Sequence, residues 1–243
     1  HALRKAVSGR QHAVVIGGGD IGLEVAASLT KVGLCVDVIE MADRLLARVA
    51  SPQISAFFAE LHQSHDVGLH IGANCQDILQ KDGAFTGVQF DDGRQIAAEL
   101  LLVGIGVLPD LDLAASAGIE AGNGILVDAM MQSSVQDIFA IGDVALIDGA
   151  ALRIESVDNA QMTAARAAAA ICGLAQPAIA APWFWSEQFD VRLQSAGIVP
   201  LASPDLRHQL RSGKREGGFS VWSYGDNGKL AAVEAVRDPA GYM

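Results

Sequence analysis

Val14-Val15-Ile16-Gly17-Gly18-Gly19-Asp20-Ile21-Gly22 decides the fold. The apolar run Gln11 to Ile16 reads as a buried strand that three glycines interrupt. Asp20 to Val32 then sets Ile21, Val25, Leu29 and Val32 at helical spacing, and Gly33 ends the helix as a C-cap. Leu34 to Ile39 is a second strand, closing on Glu40. Strand, glycine turn, helix and strand make the unit that builds a parallel sheet. The glycines follow the GxGxxG spacing. Gly17 permits the tight turn, Gly19 lets a pyrophosphate approach the backbone, and Gly22 lets the helix pack on the strand. The helix N-terminus offers free N–H groups and a positive dipole to phosphates. Glu40 stands about twenty residues beyond the glycines, where a carboxylate accepts from a ribose 2′-hydroxyl and repels a 2′-phosphate, so NAD is expected rather than NADP. Arg44 and Arg48 follow, either flanking the adenosine and pyrophosphate or solvated. Glu24 either complements the helix dipole or faces the nicotinamide.

Outward from this unit, Ser51-Pro52 caps a helix running through Phe57, Phe58 and Leu61. Val67 to Ile71 is a third strand. Segments around Gln76 to Gln80, Ala84 to Phe90 and Gln95 to Ile96 are separated by Lys81-Asp82-Gly83 and Asp91-Asp92-Gly93, which predicts an antiparallel meander. Leu100 to Val103 returns as a buried strand before Gly104-Ile105-Gly106. Gly124 to Val127 and Ile138 to Ile141 read as further strands, the second ending in Gly142-Asp143. Asp158 to Cys172 is an Ala-rich helix, and Gln176 to Pro182 a linker. Tryptophans then appear, with strands around Val191 to Leu193, Phe219 to Tyr224 and Leu230 to Val236, the last two joined by the hairpin loop Gly225-Asp226-Asn227-Gly228. The expected fold class is α/β, a Rossmann-like, three-layer FAD/NAD(P)-binding domain with an antiparallel meander. A C-terminal α+β interface domain follows it.

The 243 residues are 51% hydrophobic and 19% charged, enough for a sizeable core. A net charge of −11 makes nucleic acid an unsuitable partner. No apolar run is long enough to span a membrane, since Arg166 interrupts Ala160 to Leu174, and no secretory signal opens the chain. Cys35, Cys75 and Cys172 are far apart and form no CxxC. They read as buried small apolar side chains in a reducing compartment, the cytoplasm. His62, His65 and His70 suit packing or solvent roles, and no metal site is expected. Arg207, Arg211, Lys214 and Arg215 form the one basic cluster, either a docking face for an acidic ferredoxin or a solvated loop. The chain opens at His1 without Met and stops at Met243 after a strand-like run, and it reads as a fragment.

Five strings resemble the FAD-dependent, NADH-using ferredoxin reductases of bacterial oxygenase systems, the putidaredoxin reductase and biphenyl dioxygenase reductase types. They are Val14 to Leu29, Leu101 to Asp110, Gly124 to Ala145, Arg153 to Gln161 and Pro182 to Asp190, in order along almost the whole chain. The resemblance implies an NAD-binding domain (1–112), a returning segment of the FAD-binding domain (113–175) and an incomplete C-terminal interface domain (176–243), with the N-terminal FAD half absent. It implies FAD and NAD as cofactors, NADH as donor and a ferredoxin-type [2Fe-2S] acceptor, and leaves a homodimer open. Position by position, it implies that Gly17, Gly19, Ile21, Gly22, Glu40 and Arg48 serve the dinucleotide. Ile105 and Gly106 would form a second nicotinamide-side turn, with Glu24 near the nicotinamide. Asp143, with Val144, would meet the flavin's ribityl chain, and Trp183 and Trp185 would pack near the flavin. Asp20 departs from the family, which usually has an aromatic or apolar residue there. No side chain is expected to act as acid or base. The competing reading is an NAD-binding flavoprotein of the same fold with a sensing role, similar to apoptosis-inducing factor.

Overall fold

The glycine-interrupted run folds as its periodicity dictates. A computed structural model describes residues 2–199 and 206–242. The chain divides into two compact units, the described residues of 1–105, 185–194 and 198–243, and those of 106–184 and 195–197. The first begins with α1 (Ala2–Val7), β1 (His12–Ile16), α2 (Asp20–Lys31), β2 (Cys35–Glu40), α3 (Pro52–Gln63) and β3 (Gly68–Ile71). The meander strands β4 (Cys75–Lys81), β5 (Ala84–Phe90) and β6 (Gln95–Ala97) follow, and then β7 (Leu100–Val103). Strands pair in the order β3-β2-β1-β7, all parallel. Central β1 holds Ala13, Val14 and Val15 at no more than 1% exposure, which is why it is continuously apolar rather than alternating. The antiparallel meander β4-β5-β6 lays Val88 and Phe90 into one cluster with Val14 and Ile39.

Helix α2 corrects one expectation. It buries Gly22, Leu23, Ala26, Ala27 and Leu29 and leaves Ile21 67% and Val32 64% exposed. The stripe through Ile21 and Val32 is therefore not the packed face. Gly22, Ala26 and Ala27 let the helix approach the sheet closely, and that approach selects the face. The helix ends in a Schellman arrangement. Gly33 has φ +94°, its N–H donates to the Thr30 carbonyl at 2.9 Å, and the Leu34 N–H donates to the Leu29 carbonyl at 3.1 Å.

In the second unit lie α4 (Asp112–Ser116), β8 (Ala121–Gly122), β9 (Gly124–Val127), β10 (Ala145–Ile147) and α5 (Val157–Ile171). The strand expected over Ile138 to Ile141 is absent. Asp137 (φ +63°) and Gly142 (φ +68°) turn the chain on either side of it, leaving room only for a bridge from Phe139 to Gln132. Strand β10 pairs with β9 in its stead. Ser156 caps α5, its hydroxyl accepting from the Asn159 N–H at 3.1 Å. Buried Arg166 donates to the carbonyls of Ala129 and Pro177, so the charge that breaks the apolar run ties two loops together. Among the described residues no helix is long and apolar enough to cross a membrane.

The last sheet contains β11 (Trp183–Gln188), β12 (Val191–Gly197), β13 (Arg207–Ser212), β14 (Phe219–Tyr224) and β15 (Leu230–Val236), followed by α6 (Pro239–Tyr242). Its order is β11-β12-β15-β14-β13. The basic cluster is thus not a simple loop, because Arg207 and Arg211 lie on an edge strand. Their alternation is hidden in the sequence because charged stems cover aromatic rings: the Arg211 guanidinium stands 3.8 Å from the Trp222 ring centre. The cysteines also differ from expectation. Cys35 and Cys172 are exposed and Cys75 is half-buried, because the first opens a strand and the second follows the end of α5.

Candidate functional site

Packing accounts for three of the four glycines at the end of β1. Gly17 has φ +111°, and a Cβ on it would lie 2.3 Å from the Gly104 carbonyl oxygen. One on Gly22 would lie 2.0 Å from the Gly17 oxygen, and one on Gly18 would meet Leu45 at 2.7 Å and Glu40 at 3.0 Å. Gly19 is different. Its φ is −77°, and nothing lies within 4 Å of a Cβ built there. The fold makes no demand for glycine at 19, whereas a pyrophosphate seated against the backbone does. Gly19 is also the N-cap of α2 and makes no side-chain cap bond, so the first-turn N–H groups remain to be satisfied from outside the helix. These observations fit a dinucleotide.

Glu40 reaches this turn from the end of β2. Its Oε2 accepts from the Gly18 N–H at 2.7 Å and its Oε1 from the Ala42 N–H at 2.7 Å. Two backbone donors therefore fix the carboxylate beside the glycines, and each oxygen keeps a lone pair for a hydroxyl. Arg48 is exposed on the following loop. Arg44 is not available in the same way, since its guanidinium donates to the carbonyls of Ala47 and Ala50 and to Ser55 Oγ. The loop is tied to the turn by the Leu46 N–H, which donates to the Gly18 carbonyl at 2.9 Å. Asp20 is half-buried at the start of α2, and Ile21 is exposed. Across from them, the Gly104 N–H donates to the Ile16 carbonyl at 2.7 Å, which sets Ile105 beside Gly17. Ile105 is 65% exposed, and Gly106 follows with φ +100°.

Glu24 neither faces solvent at the helix end nor stands free. Its Oε1 accepts from Ser186 Oγ at 2.7 Å and from the Glu187 N–H at 3.1 Å, both on β11. Nothing in the sequence signals Ser186 as its partner. Trp185, on the same strand, is half-buried with the Arg192 guanidinium 5.7 Å from its ring.

Asp143, Val144 and Trp183, the flavin-side candidates, belong to the second unit. Gly142 to Val144 form a 3-10 turn, with the Gly142 N–H donating to Thr163 Oγ1 at 2.9 Å and Arg153 donating to the Asp143 carbonyl. The Asp143 side chain is exposed and does not cap a helix, so its carboxylate can accept from hydroxyls; this fits the polyol chain of a flavin nucleotide. Val144 packs with Val127 and Met131. The Trp183 N–H donates to Asp158 at 3.4 Å.

The histidines have other occupations. His12 and His70 each bring Nε2 to 2.6 Å from the Asp37 carboxylate, and a Cβ on Gly68 would fall 2.1 Å from Asp37 Oδ1. His62 lies 2.9 Å from Gln188 Oε1, and burial lowers its pKa. Burial and Asp77 push the Cys75 thiol up, away from thiolate chemistry.

Comparison with known proteins places the chain in a family. A family model described as pyridine nucleotide-disulphide oxidoreductase matches residues 1–164, and one described as reductase C-terminal matches residues 183–243. A ferredoxin–NAD(P)+ reductase of a Sphingomonas species is 40% identical over 100% of this chain and 59% of its own length. The ferredoxin reductase for the CYP199A2 system from Rhodopseudomonas palustris superimposes with a TM-score of 0.91 at 39% identity, over 98% of this chain and 59% of that one. The reductase in a covalent putidaredoxin reductase–putidaredoxin complex gives 0.90 at 34% identity, over 99% of this chain and 58% of that one. The chain thus spans less than two thirds of the length of these relatives. It belongs to the pyridine nucleotide-disulphide oxidoreductase family.

Proposed function

We propose that the protein carrying this chain is an NADH-dependent flavoprotein that passes electrons through FAD to a ferredoxin-type [2Fe-2S] protein of an oxygenase system. The observation that carries the reading is Gly19, a glycine the fold does not need at the mouth of a βαβ turn. The names of the relatives support the acceptor, since they are ferredoxin reductases and one is joined to putidaredoxin.

In this reading the Gly17 to Gly22 turn and the α2 N-terminus receive the pyrophosphate, and the Glu40 carboxylate takes the ribose hydroxyls and rejects a 2′-phosphate. Ile21 and Ile105 offer exposed apolar side chains to the nicotinamide end, with Gly106 in the turn beyond and Asp20 the one acid among them. Glu24 holds β11, and with it Trp185, against α2. Asp143 and Val144 line the flavin side, with Trp183. Bound FAD supplies the chemistry of taking a hydride and releasing electrons singly. The described residues divide functionally into a dinucleotide domain (1–112), a flavin-domain segment (113–175) and an interface domain (176–243). The free thiols suit a cytoplasmic setting.

The test is the visible spectrum of the protein under anaerobic conditions. Flavin bands that bleach promptly with NADH and slowly with NADPH are expected. A colourless protein, or one that bleaches equally with both, overturns the cofactor assignment or the role of Glu40 respectively.

A further inference from the structure

One buried carboxylate has no part in the reading above. Glu234, on β15, is fully buried. Its Oε1 accepts from the Ser51 N–H at 2.9 Å, and Ser51 is the equally buried N-cap of α3. Its other oxygen, Oε2, and Ser51 Oγ complete no well-formed hydrogen bond, although the Ser51 hydroxyl lies near enough to favour the charged carboxylate. Orphaned buried polar atoms of this kind are uncommon. The pair can close in either protonation state, the Ser51 hydroxyl donating to the carboxylate or accepting from the acid, while full burial of the carboxyl favours the neutral form.

Ser51 closes the loop that begins after Glu40. That loop is tied at Leu46 to the Gly18 carbonyl, at Ala42 to Glu40, and internally by the Arg44 guanidinium. A continuous set of hydrogen bonds therefore runs from the glycine turn to the last sheet. We propose that Glu234 is a positioning residue for the dinucleotide site, holding the 41–51 loop in place through Ser51 in a proton-dependent clasp. This rests on the dinucleotide reading given above.

Burial raises the Glu234 carboxyl from 4.5 to about 7, against the lowering pull of the Ser51 hydroxyl and amide and of Arg44. Arg44 also acts on His208 of β13, whose pKa is lowered first by its own burial and then by Arg44. On β14 the residue paired with Glu234 is the uncharged Val221. With its pKa raised in the closed state, Glu234 gives the clasp its full strength below about 4.5. That strength declines as pH rises to about 7 and is constant above.

The experiment is ADP-ribose binding between pH 5 and 8, a ligand without the acid-labile nicotinamide of NADH, on the unaltered protein and on Glu234→Gln. The amide keeps an acceptor for the Ser51 N–H but cannot titrate. Affinity in the unaltered protein should fall by about tenfold across this range, and in the variant it should change far less. Parallel profiles in the two proteins overturn the proposal, and so does a pH effect on melting temperature with none on affinity. Should Glu234→Gln fail to fold, a flat profile in the unaltered protein alone is enough to overturn it. Absence of ADP-ribose binding at every pH overturns the dinucleotide reading and this inference with it, whereas binding without the pH difference removes this inference only.

Discussion

At Gly19 the backbone φ is ordinary and the flank is open, so the residue separates folding from binding. Gly19→Ala should fold with an unchanged melting temperature and bind NADH at least about tenfold more weakly, because a methyl group then stands where the pyrophosphate approaches. Gly22→Ala should instead lose stability, and binding with it. Its Cβ would meet the Gly17 carbonyl oxygen at 2.0 Å, forcing α2 off the sheet and costing about 1–3 kcal/mol of stability. Thermal melting and NADH titration on both variants check the pair; equal loss of binding and stability in both would refute the distinction. The glycines themselves are plain in the sequence, because their spacing is local. What the spacing does not reveal is which of them the protein needs for itself.

Among the elements, the two-residue turn between β11 and β12 is held from several sides. Phe189 has φ +55°, a conformation that costs a non-glycine residue about 1 kcal/mol. It is held there by His65 stacked at 3.8 Å, by His62 edge-on at 5.0 Å, and by Lys31, whose Nζ donates to its carbonyl at 2.5 Å. Phe189→Asn relieves the backbone but removes the ring, and should lose about 2–3 kcal/mol in chemical denaturation; a variant as stable as the original would show the ring contacts to be worth no more than the strain. Strand β13 carries a separate expectation. Among the described residues, Arg207, Arg211, Lys214 and Arg215 form no ion pair, so under the proposed function their cations are available to an acidic acceptor. Reversing Arg211, Lys214 and Arg215 to Glu should raise the acceptor KM about tenfold and leave NADH oxidation by a small dye unchanged. An unaltered KM removes β13 from the docking face, an outcome its position at the opposite sheet edge from β11 makes a real alternative.

For the molecule as a whole, two buried groups oppose each other in pH. His62 has a lowered pKa, so its contribution is present above 6.5 and is lost as pH falls. Glu234 has a raised pKa, so its contribution is present below 4.5 and is lost as pH rises to about 7. Relative to the unaltered protein between pH 5 and 7, His62→Gln should therefore melt progressively lower as pH rises. Glu234→Gln should melt progressively lower as pH falls. Profiles of the same sign for both variants would contradict the assignment. The exposed Cys35 and Cys172 should react rapidly with a thiol reagent in the native protein, and Cys75 slowly.

The sequence alone determined the βαβ unit, the meander and the last hairpin, since each is written in periodicity and turn residues a few positions apart. It also marked Glu40, because the end of β2 lies a fixed distance beyond the glycine turn. The tertiary structure decided which face α2 buries, because close backbone approach rather than apolar spacing selects it. It decided the partners of Glu24 and Glu234 as well, which lie 162 and 183 positions away at Ser186 and Ser51. A polar side chain in a sequence does not state what will satisfy it. Only the packing that removes it from water creates the requirement and supplies the partner.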